Sequence, residues 1–194
     1  ENTITAISFA ASIAVALGTT GGLALSGGGA DSNNVINGDT LAYLDSVGIL
    51  TAGNVSLDAQ NTSTINAIVA AVAIGGAAGA SSGGLGLAIG AALSANDLGI
   101  SSNRLTVQSY IKNSAVNATG DVSLSAFGGL NIDALVAAGG VAIAGGGGGG
   151  LAGAGTGVIT TNKMYADVSS YIDNTDDTAK AITASSLTLT AHNT

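Results

Sequence analysis

Bulky and small side chains alternate one by one along much of this chain. Ile7, Phe9, Ile13, Val15 and Leu17 fall on odd positions, and Ser8, Ala10, Ser12, Ala14 and Ala16 stand between them. A period of two is the signature of extended strand. The pattern returns at Ile68, Val72 and Ile74, then at Leu85, Leu87, Ile89 and Leu93, spaced by Gly86, Ala88 and Gly90. A third tract keeps Val141, Ile143 and Leu151 and is otherwise almost wholly Ala and Gly. Each tract is followed by a polar segment, Gly29-Ala30-Asp31-Ser32-Asn33-Asn34, Asn96-Asp97 or Asn162-Lys163, which reads as a turn. A Tyr-containing strand and a Val-Ser-Leu strand come next. Asn37-Gly38, Ala52-Gly53-Asn54 and Thr119-Gly120-Asp121 supply further turn residues.

The same phrases come round in register. Val55-Ser56-Leu57-Asp58-Ala59 returns as Val122-Ser123-Leu124-Ser125-Ala126 and as Leu187-Thr188-Leu189-Thr190-Ala191. Ile4-Thr5-Ala6-Ile7 matches Ile65-Asn66-Ala67-Ile68 and Ile132-Asp133-Ala134-Leu135, while Tyr43, Tyr110 and Tyr171 open a third matching phrase. Units 1–59, 60–126 and 127–194 follow, joined as one continuous β array. Glu1-Asn2-Thr3 fits the phase of Asn193-Thr194, so copies are expected to continue head to tail. The chain has no initiator methionine or signal segment, and reads as a processed product or an excerpt.

The fold class expected is all-β, a repetitive β-solenoid with a stacked sandwich or hairpin array as the alternative. About four strands per unit suit three coils of about 21 residues each, hence about nine rungs and about 45 Å in all. Proline is absent, as a chain needs when nearly every backbone N–H joins a ladder. Residues 2–30, 59–96 and 134–162 hold no charged side chain, so neither strand face looks solvated. The bulky face is expected to be core and the Ala/Gly face a close-packing surface. Its cover is either another sheet, from this chain or a neighbour, or a tight interior corner.

These repeats resemble those of giant Gram-negative surface proteins, the filamentous-haemagglutinin-like and large autotransporter-type adhesins. The resemblance is carried by Ala118-Thr119-Gly120-Asp121-Val122-Ser123-Leu124-Ser125-Ala126, by the Gly/Ala-rich tracts and by strands such as Tyr110-Ile111. It implies an extracellular stalk or fibre at the bacterial cell surface. Binding functions of such proteins are usually held elsewhere in the polypeptide.

Candidate chemistry is sparse. The one histidine, His192, occupies the repeat slot held by Gln60 and Phe127, and nothing near it in sequence supplies a nucleophile and an orienting group. There is no cysteine, so neither a thiol nucleophile nor a cysteine-zinc site is available. The run Gly145 to Gly150 satisfies a phosphate-loop pattern only trivially, with no following helix signal and no Gly-Lys-Ser/Thr. It reads as a place where backbones approach closely. Asp173-Asn174-Thr175-Asp176-Asp177 and Gly27-Gly28-Gly29-Ala30-Asp31 touch on calcium-loop chemistry without keeping its spacing. No catalytic, cofactor or metal residue is therefore expected, and the chain is not read as an enzyme.

A net charge of −8, with 4 basic residues against 12 acidic ones, argues against nucleic acid and anionic membrane surfaces as partners. Residues 65–93 are charge-free and carry Gly75-x-x-x-Gly79 and Gly86-x-x-x-Gly90, the spacing of packed membrane helices. Seven glycines in that tract and the period of two oppose a helix. Membrane insertion is not expected. The function expected is a structural, self-associating module of an extracellular fibre or giant adhesin, joined through Ala/Gly faces and head-to-tail stacking. Its alternatives are a carbohydrate- or ice-binding module using the Tyr43, Tyr110 and Tyr171 rank, and a membrane-associated or pore-forming segment.

Overall fold

The computed structural model describes residues 1–175 and 180–194, and every regular element among them is a β-strand. The first coil runs through β1 (Asn2–Gly18), β2 (Gly22–Ile36), β3 (Asp39–Asp45) and β4 (Leu50–Ala52). The second repeats it as β5 (Val55–Gly79), β6 (Gly84–Leu98), β7 (Leu105–Lys112) and β8 (Val116–Ala118). The third follows as β9 (Asp121–Gly146), β10 (Gly150–Met164), β11 (Ala166–Asp173) and β12 (Ile182–Thr183), and β13 (Ser186–Asn193) opens a fourth. Equivalent strands pair in parallel, giving four stacked sheets ordered β1-β5-β9-β13, β2-β6-β10, β3-β7-β11 and β4-β8-β12. The fold is a parallel β-solenoid. The alternative hairpin array does not occur, because β1 and β2 lie in different sheets and meet face to face.

The repeat phrases are the register itself. Ile4 pairs with Ile65 and Ile65 with Ile132, Tyr43 with Tyr110 and Tyr110 with Tyr171, and Val55 with Val122 and Val122 with Leu187. The expected boundaries after residues 59 and 126 fall inside β5 and β9, so they mark a phase of the period. The corners of the coil fall at Gly53-Asn54 and Thr119-Gly120.

One coil per unit, not three, is the first correction. Register shifts run from 61 residues at Asn2↔Ser63 to 67 at Val55↔Val122. The three coils therefore rise only about 14 Å at about 4.8 Å per rung, against the nine rungs expected. The strands are simply longer than the sequence was read to allow. Gly29-Ala30-Asp31-Ser32-Asn33-Asn34, Asn96-Asp97 and Asn162-Lys163 are not turns but continue β2, β6 and β10. Their polar side chains find partners one rung away. Asn34 donates its amide to Asn96 Oδ1 at 2.8 Å, and Asn96 donates to Asn162 Oδ1 at 2.8 Å.

Each coil has a body and a fin. In the body the near halves of β5 and β9 enclose two aliphatic clusters with the other sheets. One contains Ile36, Ile65, Leu98, Leu105 and Val107, the other Val55, Ile111, Val116, Val122 and Leu124. Beyond Ile65 the inward row of β5 shrinks through Ala67, Val69, Ala71 and Ala73 to Gly75. There β5 and β6 run alongside one another with almost nothing between them. A Cβ built on Gly75 would lie 2.5 Å from Leu87 O, and one on Gly86 2.7 Å from Ile143 O. Two ordinary stacked sheets sit about 10 Å apart; these are closer because glycine and alanine leave only backbone in the gap.

The second correction concerns which face is inside. The Ala/Gly rows are the interior of the fin, whereas the bulky rows point outward. Ala73 is 0% exposed, while Ile7 is 73% and Leu17 is 81% exposed. Alternation distinguishes two faces but does not say which is core. The physical reason for the outcome is pairing: the two small faces within one coil cover each other. Within this chain the Ala/Gly faces are thus taken up by one another.

Candidate functional site

The chemistry-bearing residues are spread over the solenoid as ranks, because equivalent positions superpose along its axis. Tyr43, Tyr110 and Tyr171 point outward from β3, β7 and β11 and stack with ring centroids 5.1 and 5.0 Å apart and planes within 9° and 5° of parallel. A sugar-binding platform offers ring faces to its ligand. Here neighbouring tyrosines cover the faces of the middle ring, leaving its edge outward. Burial, the nearby Tyr171, Asp45 and Tyr43 push the Tyr110 phenol above its ordinary range. The ranks beside it are mixed, with Asp45, Lys112 and Asp173 on one side and Leu41, Gln108 and Ser169 on the other. No regular Thr or Asn lattice accompanies the aromatics.

His192 lies on the exposed outer face of β13 and stacks on Phe127 at 5.8 Å. Its slot is the one the repeat predicts, with Phe127 one coil below. Among the described residues no group of three or more His, Cys, Asp or Glu side chains comes together to hold a metal. Asp176 and Asp177 of the expected calcium segment lie outside the described residues. Within it, Asp173 accepts hydrogen bonds from the Thr175 hydroxyl at 2.7 Å and its amide at 3.2 Å, which hold its carboxyl below the usual range. Asn174 is a corner brace: its amide donates to Ser114 O and its Oδ1 accepts from Ser114 N, each at 2.9 Å. Gly27 to Asp31 lie within strand β2 and form no loop.

The glycine run forms the tip of the third coil, where Gly147 and Gly148 make the turn and Gly149 takes a φ of 99°, open chiefly to glycine. Close backbone approach is the correct reading of it. A groove of about 670 Å³ crosses the three tips, lined by Thr20, Ser82 and glycines, with Leu23, Leu85 and Leu151 at its rim. It holds hydroxyls and backbone but no titratable group. Gly75, Gly79, Gly86 and Gly90 all face into the fin. A spacing of four suits a strand face as well as a helix face, which is why that motif was ambiguous. Among the described residues no helix is long and apolar enough to cross a membrane.

What the sequence reading missed is the outer surface of the fin. Two broad aliphatic faces flank it, one from β1-β5-β9 and one from β2-β6-β10. A soluble protein seldom exposes apolar patches larger than a few hundred Å² unless they bind something. On the first face Phe9, Ile13, Ile68, Leu135 and Ile143 are exposed; on the second, Leu25, Ile89, Leu151 and Ile159. Thr5, Asn66 and Asp133 end the first face in a polar row at the body. The signal was present in the spacing. Ile4 and Ile7, Ile65 and Ile68, and Ile132 and Leu135 are three apart in every repeat, so the bulky row changes faces where body becomes fin. No family model, curated protein or solved structure matches the chain.

Proposed function

We propose that this chain is a structural module of a bacterial extracellular fibre or giant surface adhesin, with the solenoid axis as the fibre axis. The observation that carries the reading is in-register parallel stacking of whole coils, with unpaired strand edges at both ends. β1 to β4 present one row of free backbone groups, and β10 to β13 with the far half of β9 present the other. Open edges of this kind template further pairing. Covering them by more coils, in the same chain or in another copy, satisfies the ladders without changing the fold. The resemblance to adhesin repeats supports an extracellular place.

Electron microscopy of the purified chain tests this. End-to-end filaments are expected; separate particles at all concentrations up to the solubility limit would overturn it. Stacking covers both faces of the middle ring of the Tyr rank, which counts against the carbohydrate-binding alternative; binding of a glycan to the rank, abolished by Tyr110→Ala, would favour it.

A further inference from the structure

We propose that the two aliphatic faces of the fin are lateral interfaces between copies of this chain, with the β1-β5-β9 face of one copy seated on the β2-β6-β10 face of the next. This deepens the fibre reading and rests on it for the axis, but concerns the sides of the stack and not its ends.

Area and shape select a second copy as the occupant. The first face runs from Ile7 to Leu17, about 33 Å along the strand, and spans three rungs, about 14 Å. That is a flat footprint of about 480 Å² per face, so one docked pair covers at least about 950 Å² in total, on the scale of the roughly 1,000 Å² a specific interface needs, and the protruding side chains of the face add to it. Because the two faces are different, each copy has one of each to offer, and neighbours can be added on both of its sides. Such an arrangement is an open side-by-side array, not a closed pair, which is what a heterologous contact produces.

The two faces also differ in relief. On the first, Gly76 and Gly139 lie against Val15 and Val72 side chains at 4.0 and 3.8 Å, so the middle of the face is filled, and Gly145 near the tip is open. On the second, Ile89 stands between Gly27 and Gly155 of the adjacent coils, and a Cβ at Gly27, Gly155 or Gly157 would meet nothing within 4 Å. None of these three takes a positive φ. Neither conformation nor internal packing accounts for glycine there. The troughs beside Ile89 are the complement of the raised row formed by Ile13, Ile74 and Val141.

The test uses one variant of each face. Ile13→Asp spoils the bulky face, while the double variant Gly155→Val, Gly157→Val fills the trough; Ile89→Asp is a second lesion of that face. Far-UV circular dichroism checks that each keeps its strand content, and sedimentation velocity reads association. The wild-type chain is expected to form side-by-side arrays, and each variant alone to lose lateral association at least about tenfold. An equal mixture of Ile13→Asp with a trough variant should recover discrete pairs, since one partner still offers each intact face. Pairing by either variant on its own would overturn the face-on-face assignment. Wild-type filaments one copy wide, or wild-type chain that floats with phosphatidylcholine vesicles and shows no lateral association, would overturn the proposal and leave end-to-end stacking intact. Side-by-side arrays without filaments would do the reverse.

Discussion

At the scale of single residues, the position of a glycine in this fold decides what replacing it does. Gly86 faces the fin interior, where a Cβ meets Ile143 O at 2.7 Å and Gly75 O at 3.3 Å. Gly86→Val should therefore destabilise the chain by about 1–3 kcal/mol or more, as overpacking does, measurable as a lowered urea midpoint. Gly157→Val, into open space on the outer face, should leave that midpoint unchanged or raise it slightly, since valine suits a strand better. Tyr110 makes a different prediction. Its folded pKa lies above the unfolded value near 10.0, so its contribution to stability is full below that value and is lost as pH rises through the folded pKa. Thermal melts of Tyr110→Phe should accordingly fall less than those of the wild type on the alkaline limb.

At the scale of strands, the fold is held by contacts between equivalents. Buried asparagines illustrate this: Asn96 is fully buried, donates to Asn162 and to the Ser94 hydroxyl at 3.0 Å, and accepts from Asn34. Asn96→Leu should cost about 1–3 kcal/mol for each neighbour left without its partner, read as a lowered denaturation midpoint. The single ion pair among the described residues, Arg104 to Asp167 at 2.7 Å, is half-exposed and is worth at most about 1 kcal/mol. The strands themselves were legible from the period of two, and the register from the recurring phrases, because parallel stacking places each residue on its own counterpart. Two things were not. Asn34, Asn96 and Asn162 look like turn residues until a partner one coil away is known. The inner face could not be chosen either, because Ala and Gly are small enough to line a gap between sheets or to coat a surface. The three-residue step from Ile65 to Ile68 records the exchange of faces, but its meaning depends on where the body ends.

At the scale of the whole molecule, stability should behave as a sum over coils and the interfaces between them. If copies stack end to end in phase, the filament should repeat axially at about 14 Å per chain, within a strand spacing of about 4.8 Å. Fibre diffraction measures both; an axial repeat near 45 Å per chain would contradict the coil size described above.

The size of that coil also bears on what such a protein is good for. More than sixty residues are laid down for each rung, as the 61-residue register shift between Asn2 and Ser63 requires, whereas a coil of about 21 residues would climb about three times as far on the same amount of chain. This is a poor way to reach outward. What each added turn extends is the flank, by about 33 Å of aliphatic strand on either side, so the molecule grows as a widening wall rather than a tether.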